Sequence, residues 1–159
     1  MKHLYAPWRD KYIHKKTAAG LCIFCFQADA QQDADHFIIK RFAHCFVLLN
    51  LYPYNAGHLL VIPYEHHAML EDLSAAARAE IMEVTTQCNV ILKQALGANG
   101  INIGLNVGSQ VAGGSIPEHL HMHVVPRWLG DTNFLVTIAE TKPISFSLPA
   151  IYQKLRASF

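Results

Sequence analysis

Residues 119–125 read His-Leu-His-Met-His-Val-Val, and this segment restricts the fold more than any other in the chain. Successive side chains on a β-strand point to opposite faces. As a strand, the segment sends Leu120, Met122 and Val124 into a core and aligns His119, His121 and His123 on the other face. The fold therefore needs a sheet with an apolar side and a side that presents imidazoles. Three of them at strict two-residue spacing are a poor match to a chance run of exposed polar residues. Histidine is also the side chain best suited to chemistry near neutral pH.

The rest of the chain supplies such a sheet. Residues 36–42, 44–49, 58–63 and 101–106 are short stretches rich in Phe, Val, Ile and Leu, and are expected as strands alongside 119–125. Tyr52-Pro53-Tyr54-Asn55-Ala56-Gly57 is a turn signal, which makes the flanking strands an antiparallel hairpin. Between Ser74 and Leu96, Ile81, Val84, Cys88, Ile91, Leu92 and Ala95 recur at spacings of three and four, the stripe of an amphipathic helix. Ser74 suits its N-cap and Gly97 the left-handed position after its end. Pro149–Ala157 is expected as a short terminal helix. The class is α+β, a mainly antiparallel sheet of about five strands with one long helix. One domain spans 1–159: an irregular N-terminal arm (1–35), a core (36–128) and a C-terminal extension (129–159).

Composition narrows the function. With 52% hydrophobic and 16% charged residues over 159 positions, the chain can build one sizeable core. A net charge of +1 leaves no electrostatic footprint for nucleic acid or an anionic membrane. Runs such as Leu59-Leu60-Val61-Ile62 are too short to cross a bilayer. The start of the chain lacks the apolar run of a secretory signal, so the expected compartment is the cytoplasm. Of four cysteines, Cys45 and Cys88 stand among apolar neighbours and read as buried small hydrophobes, whereas Cys22 and Cys25 form a C-x-x-C.

An imidazole row serves either metal binding or nucleophilic and acid–base work on a phosphate. The glycine-bearing loop 108–115 can turn backbone N–H groups toward an anion. Neutral imidazole attacks phosphorus well, and its neighbours can donate to phosphate oxygens and the leaving group. A three-histidine zinc hydrolase would need a bend, since a straight strand spreads the outer two imidazoles apart.

The pattern H-φ-H-φ-H-φ-φ, with φ apolar, resembles the signature of the histidine triad (HIT) family. Asn50, Pro53 and Gly57-His58-Leu59-Leu60-Val61-Ile62-Pro63 resemble its nucleotide-binding hairpin, and Leu105-Asn106-Val107-Gly108 the strand end before its phosphate loop. The stretch 127–134, with Trp8-Arg9, is most similar to a bacterial branch acting on diadenosine polyphosphates. The resemblance implies that His121 attacks the α-phosphorus of a small-molecule nucleotide, forming a nucleotidyl-imidazole. It implies that His123 binds phosphate oxygens and helps protonate the leaving group, with His119 completing the triad and His58 supporting it. Asn50 would contact ribose hydroxyls, Asn106 a phosphate or leaving group, and Ser115 or Gln110 a phosphate.

The same resemblance implies a structural zinc on Cys22, Cys25, His66 and His119, with His67 able to replace His66 and His119 then removed from direct catalysis. Magnesium accompanying the substrate and a homodimer formed through the long helix and its adjoining strand are further expectations. Phosphorylase and hydrolase outcomes stay open, as do a nucleoside phosphoramidase and a non-catalytic nucleotide-binding protein. Elsewhere, His3, His14 and His36 are expected to be solvated, and Arg127 to lie near phosphates or in a surface ion pair. Phe42, Phe46 and Leu51 would sandwich a base or belong to the core, and Trp128 would be a lid or subunit contact.

Overall fold

The structure, a computed structural model, describes residues 22–30, 32–112, 116–131 and 147–159. Its elements in chain order are α1 (Ile23–Asp29), β1 (Ile38–Arg41), β2 (Cys45–Leu49), β3 (Leu59–Pro63), α2 (Ala75–Leu96), β4 (Gly100–Leu105), α3 (Ser109–Ala112), β5 (Met122–Arg127) and α4 (Leu148–Arg156). The five strands form one antiparallel sheet in the order β1-β2-β3-β5-β4.

β2 and β3 are buried along their whole length, as continuous apolar runs with no polar alternation require, because both faces of the sheet must then be covered. One face, with Val47, Leu49, Leu59, Val61, Met122 and Val124, packs on Ile81, Val84, Cys88 and Leu92 of α2 and on Ile151 and Leu155 of α4. The other face, with Ile38, Phe46, Leu48, Leu60 and Ile62, is covered by Cys22 and Phe24 at the start of α1. The α2 caps are those the sequence predicts. Ser74 Oγ accepts from the Ala77 N–H, and Gly97 adopts φ +66°.

The β2–β3 turn is locked to β5. Asn55 is buried, and its Nδ2 donates to the Pro126 carbonyl and to Asp131 Oδ2, each at 2.9 Å. Gly57 holds φ +77°, and a Cβ there would sit 2.5 Å from Leu96 Cδ1, so glycine serves the turn both conformationally and sterically. This register places His58 at the mouth of β3 and Leu60 directly across from His123.

Three expectations are corrected. The arm carrying the C-x-x-C is not irregular where it is described, since residues 23–29 are helical. Their helix propensity is weak and no side chain caps them, so the packing of Phe24, with Cys22, Ile23, Cys25 and Ala28, on the sheet holds the helix instead. The last core strand begins at Met122 rather than at His119. Finally, His36 is half-buried beneath the Phe26 ring, at 5.7 Å between centroids, and is not a solvated side chain.

Candidate active site and metal centre

The burial pattern of β5 alternates, with Met122, Val124 and Pro126 buried and the residues between them half-buried. His121 and His123 therefore share the face opposite α2, with ring centroids 4.9 Å apart. His119 lies one turn of chain earlier, outside the strand, and is fully buried. The triad divides into an imidazole pair on the sheet and a third imidazole directed toward α1.

Main-chain partners fix the tautomers. His121 Nδ1 lies 2.8 Å from the carbonyl oxygen of His119. A carbonyl only accepts, so His121 carries its proton on Nδ1 and leaves Nε2 unprotonated, with no hydrogen-bond partner among the described residues. The opposite arrangement holds at His58 and His123. The Tyr54 backbone N–H donates to His58 Nδ1 at 3.1 Å, which makes that nitrogen an acceptor. Asn50 supports it: Oδ1 accepts from the Tyr52 N–H at 2.9 Å, and Nδ2 then donates to His58 Nδ1 at 3.2 Å. His58 consequently donates from Nε2 to His123 Nδ1 at 2.9 Å, and His123 carries its remaining proton outward on Nε2. Asn106 Nδ2 stands 3.5 Å from that nitrogen, a contact between two donors and not a hydrogen bond. A lone pair and an N–H donor thus stand side by side, the two functions that displacement at phosphorus needs.

Burial keeps these rings neutral. It pushes His58 down to about 3, helped by His123 and His121 nearby. His123 falls to about 4 for the same reason, with His121 adding to it. Burial also lowers His121, against the opposing influence of the His119 carbonyl and of Glu118.

His119 faces a second cluster. Its Nε2 donates to the Pro63 carbonyl at 2.9 Å, which leaves Nδ1 unprotonated toward Cys22 Sγ at 3.3 Å and Cys25 Sγ at 3.6 Å. Cys25 Sγ lies 3.3 Å from His66 Nδ1. The four ligand atoms of Cys22, Cys25, His66 and His119 all fall within 4.8 Å of one another, the compass of one tetrahedral ion, and two thiolates with two imidazoles are zinc chemistry. A carbonyl holding the far ring nitrogen of a ligand is the usual support of such sites. Burial, with Cys22 alongside, pushes the Cys25 thiol up to about 11, a protonation that a bound cation reverses. His67 contributes its carbonyl to the Leu120 N–H and belongs to no such group among the described residues. That group has the ligands of zinc rather than the oxygen set of magnesium.

A family model described as the HIT domain matches residues 31–128. The chain belongs to the HIT family. This HIT chain is 46% identical over 151 residues to the AP-4-A phosphorylase of Mycobacterium tuberculosis, covering 91% of the chain and 77% of that relative. Among solved structures it is similar to a zinc-bound histidine triad family protein of Mycobacterium smegmatis, at TM-score 0.69 and 29% identity over 86% of this chain and 91% of that one. A histidine triad nucleotide-binding protein of Sulfolobus tokodaii shares the fold at TM-score 0.68 and 24% identity, over 86% and 91% of the two chains.

Of the residues expected in the HIT site, the structure brings Asn50, His58, Asn106, His121 and His123 together, and His119 with Cys22, Cys25 and His66. The phosphate contacts expected of Ser115 and of the Gln110 side chain lie outside the described residues. Arg127 forms a two-pronged pair with Asp131, at 2.6 and 2.8 Å, and not a free phosphate ligand. Phe46 is fully buried in the core. Trp128 packs on the core and donates Nε1 to the Leu96 carbonyl at 3.3 Å. Two neighbours went unrecognised in the sequence. Phe24 meets His121 edge-on at 5.1 Å and His119 at 5.5 Å. Tyr54 lies over His58 and His123. Both come from segments with no periodicity linking them to β5, so only the fold reveals them.

Proposed function

We propose that this chain cleaves dinucleoside polyphosphates of the diadenosine tetraphosphate type at the α-phosphate, through a covalent nucleotidyl intermediate on His121 that phosphate or water resolves. The observation that carries the reading is the pair of opposed tautomers, an unprotonated Nε2 on His121 beside an outward N–H on His123. The choice of substrate rests on the 46% identity to a protein named for AP-4-A phosphorolysis.

His121 Nε2 attacks phosphorus. The N–P bond forms as the bond to the leaving polyphosphate oxygen breaks, and the electron pair departs on that oxygen. His121 keeps its Nδ1 proton, so the intermediate is an imidazolium whose charge the His119 carbonyl stabilises. The leaving polyphosphate departs as an anion. His123, held neutral by burial, therefore contributes a hydrogen bond from Nε2 and not the proton expected of it. Orthophosphate then displaces His121 to give ADP. Water gives AMP and releases one proton to solvent. Asn106 faces the same departing group.

Cys22, Cys25, His66 and His119 would hold a zinc ion that ties α1 to the segment entering β5. The metal's role is structural, because His119 has both ring nitrogens committed away from the imidazole pair. A second copy of the chain would pair through α2 and β4, one of the two edge strands. Ile103 of β4 is 45% exposed, and Leu105 of the same strand lines an apolar cavity of about 190 Å³ with Leu70, Ile81 and Met82. Unpaired thiols at Cys22, Cys25, Cys45 and Cys88 suit a reducing compartment such as the cytoplasm.

Incubation with diadenosine tetraphosphate, with and without orthophosphate, tests the reaction by its products. ADP plus ATP only with phosphate identifies a phosphorylase, and AMP plus ATP without it a hydrolase. No cleavage in either tube contradicts the reading.

A further inference from the structure

The ring of Tyr54 is placed unlike an ordinary turn residue. It is 53% exposed, yet it lies nearly parallel to His123, with centroids 5.7 Å apart and planes at 18°. It also leans on His58 at 4.8 Å and 35°. Among the described residues it is the ring that stacks on His123, since His58 and His121 meet that imidazole at 39° and 60°. Across the sheet, Leu60 stands opposite His123 on β3, but the β4 side offers no side chain. The residue directly across from His123 on β4 is Gly104, which has no side chain, and Asn106 reaches Nε2 only at 3.5 Å. The Cβ tether and the hydrogen bond from His58 to Nδ1 hold one edge of the His123 ring, and packing restrains the swing of the edge that carries Nε2.

We propose that Tyr54 is a positioning residue for the leaving group: its ring, laid across His58 and His123, holds the His123 imidazole at the angle that aims Nε2–H at the departing oxygen. The role rests on the reaction proposed above. In that step the P–O bond breaks as the His121 N–P bond forms, and negative charge gathers on the departing oxygen, where the His123 hydrogen bond acts. A donor misaimed by a fraction of an ångström loses much of its effect in the transition state and little in the ground state. The more basic the leaving group, the more charge its oxygen carries and the larger the loss.

Tyr54→Ala isolates the ring, because alanine keeps the backbone N–H that sets the His58 tautomer. The test uses aryl esters of AMP whose phenols span a range of acidity, with kcat/KM measured for wild type, Tyr54→Ala and Tyr54→Phe. The expected result is a steeper dependence on phenol pKa in Tyr54→Ala, with a loss on the order of tenfold for the most basic phenol and a smaller one for the most acidic. Tyr54→Phe, which keeps the stacked ring, retains the wild-type slope. Losses of equal size across the series would make Tyr54 a structural residue and overturn the proposal while the reaction stands. A wild-type protein that cleaves none of the esters would overturn the reaction, and this role with it.

Discussion

The carbonyl oxygen of His119 accepts the Nδ1 proton of His121 at 2.8 Å. A residue that turns its own imidazole toward two cysteines thereby sets, through its main chain, the tautomer of the imidazole two positions on. The metal-type cluster and the nucleophile share a backbone segment, and α1 closes the loop between them. Cys22 and Cys25 reach His119, while Phe24, between them in sequence, packs on His121. Loss of order in the cluster should therefore reach the nucleophile through this shared segment.

Removal of the metal should cost stability first. Purified protein is expected to contain one zinc per chain by elemental mass spectrometry, and Cys25→Ser to lose it. Melting temperature should fall in that variant and in chelator-treated wild type, by roughly 2–4 °C for each kcal/mol lost in a chain of this size. Added zinc should restore the treated wild type but not the variant. Metal-free wild type that melts at the same temperature would remove the structural role.

Asn50 separates two functions that the sequence merges. A contact to ribose alone predicts that Asn50→Ala raises KM and spares kcat. The geometry instead has its amide bridging the Tyr52 N–H and His58 Nδ1, so kcat at saturating substrate should fall by about 10- to 100-fold, the usual effect of losing a group that orients a functional histidine. Steady-state kinetics decide, and an unchanged kcat would show that the relay does not depend on this amide.

The buried imidazoles make the fold sensitive to acid. Histidine in an unfolded chain takes its proton near 6.5, whereas His58 and His123 in the fold take theirs at about 3 and about 4. Between those values the unfolded chain binds protons that the folded one refuses, so stability rises with pH through this window and levels off above it. The urea midpoint should drop between about pH 7 and about pH 5. His58→Leu should be less stable at neutral pH, with a smaller drop. An equal drop in both would assign the acid sensitivity elsewhere.

Much of this site is legible as sequence. Alternation at 119–125 gives the imidazole face and the core face, and Ser74 and Gly97 bracket the long helix correctly. His119 is where the strand rule stops, because β5 begins only at Met122 and His119, three residues earlier, turns toward Cys22 and Cys25. The helix that follows Cys22 and carries Cys25 is invisible to propensity, since it forms by packing Phe24 on the sheet. Tyr54 is four residues from His58 in a turn, where no periodic signal links it to His123. Trp128 is expected as a lid or subunit contact, yet it donates to the carbonyl of Leu96 and packs on the core behind it.

The claim on which the rest depends is that His121 becomes covalently nucleotidylated. Protein mixed with diadenosine tetraphosphate in the absence of orthophosphate, quenched at alkaline pH to preserve a phosphorus–nitrogen bond, can be digested and sequenced by mass spectrometry. The account predicts one AMP on the peptide containing His121, discharged to ADP when orthophosphate is added before the quench, and neither adduct nor turnover in a folded His121→Ala protein. Turnover that persists in His121→Ala, or an adduct on another residue, would contradict it.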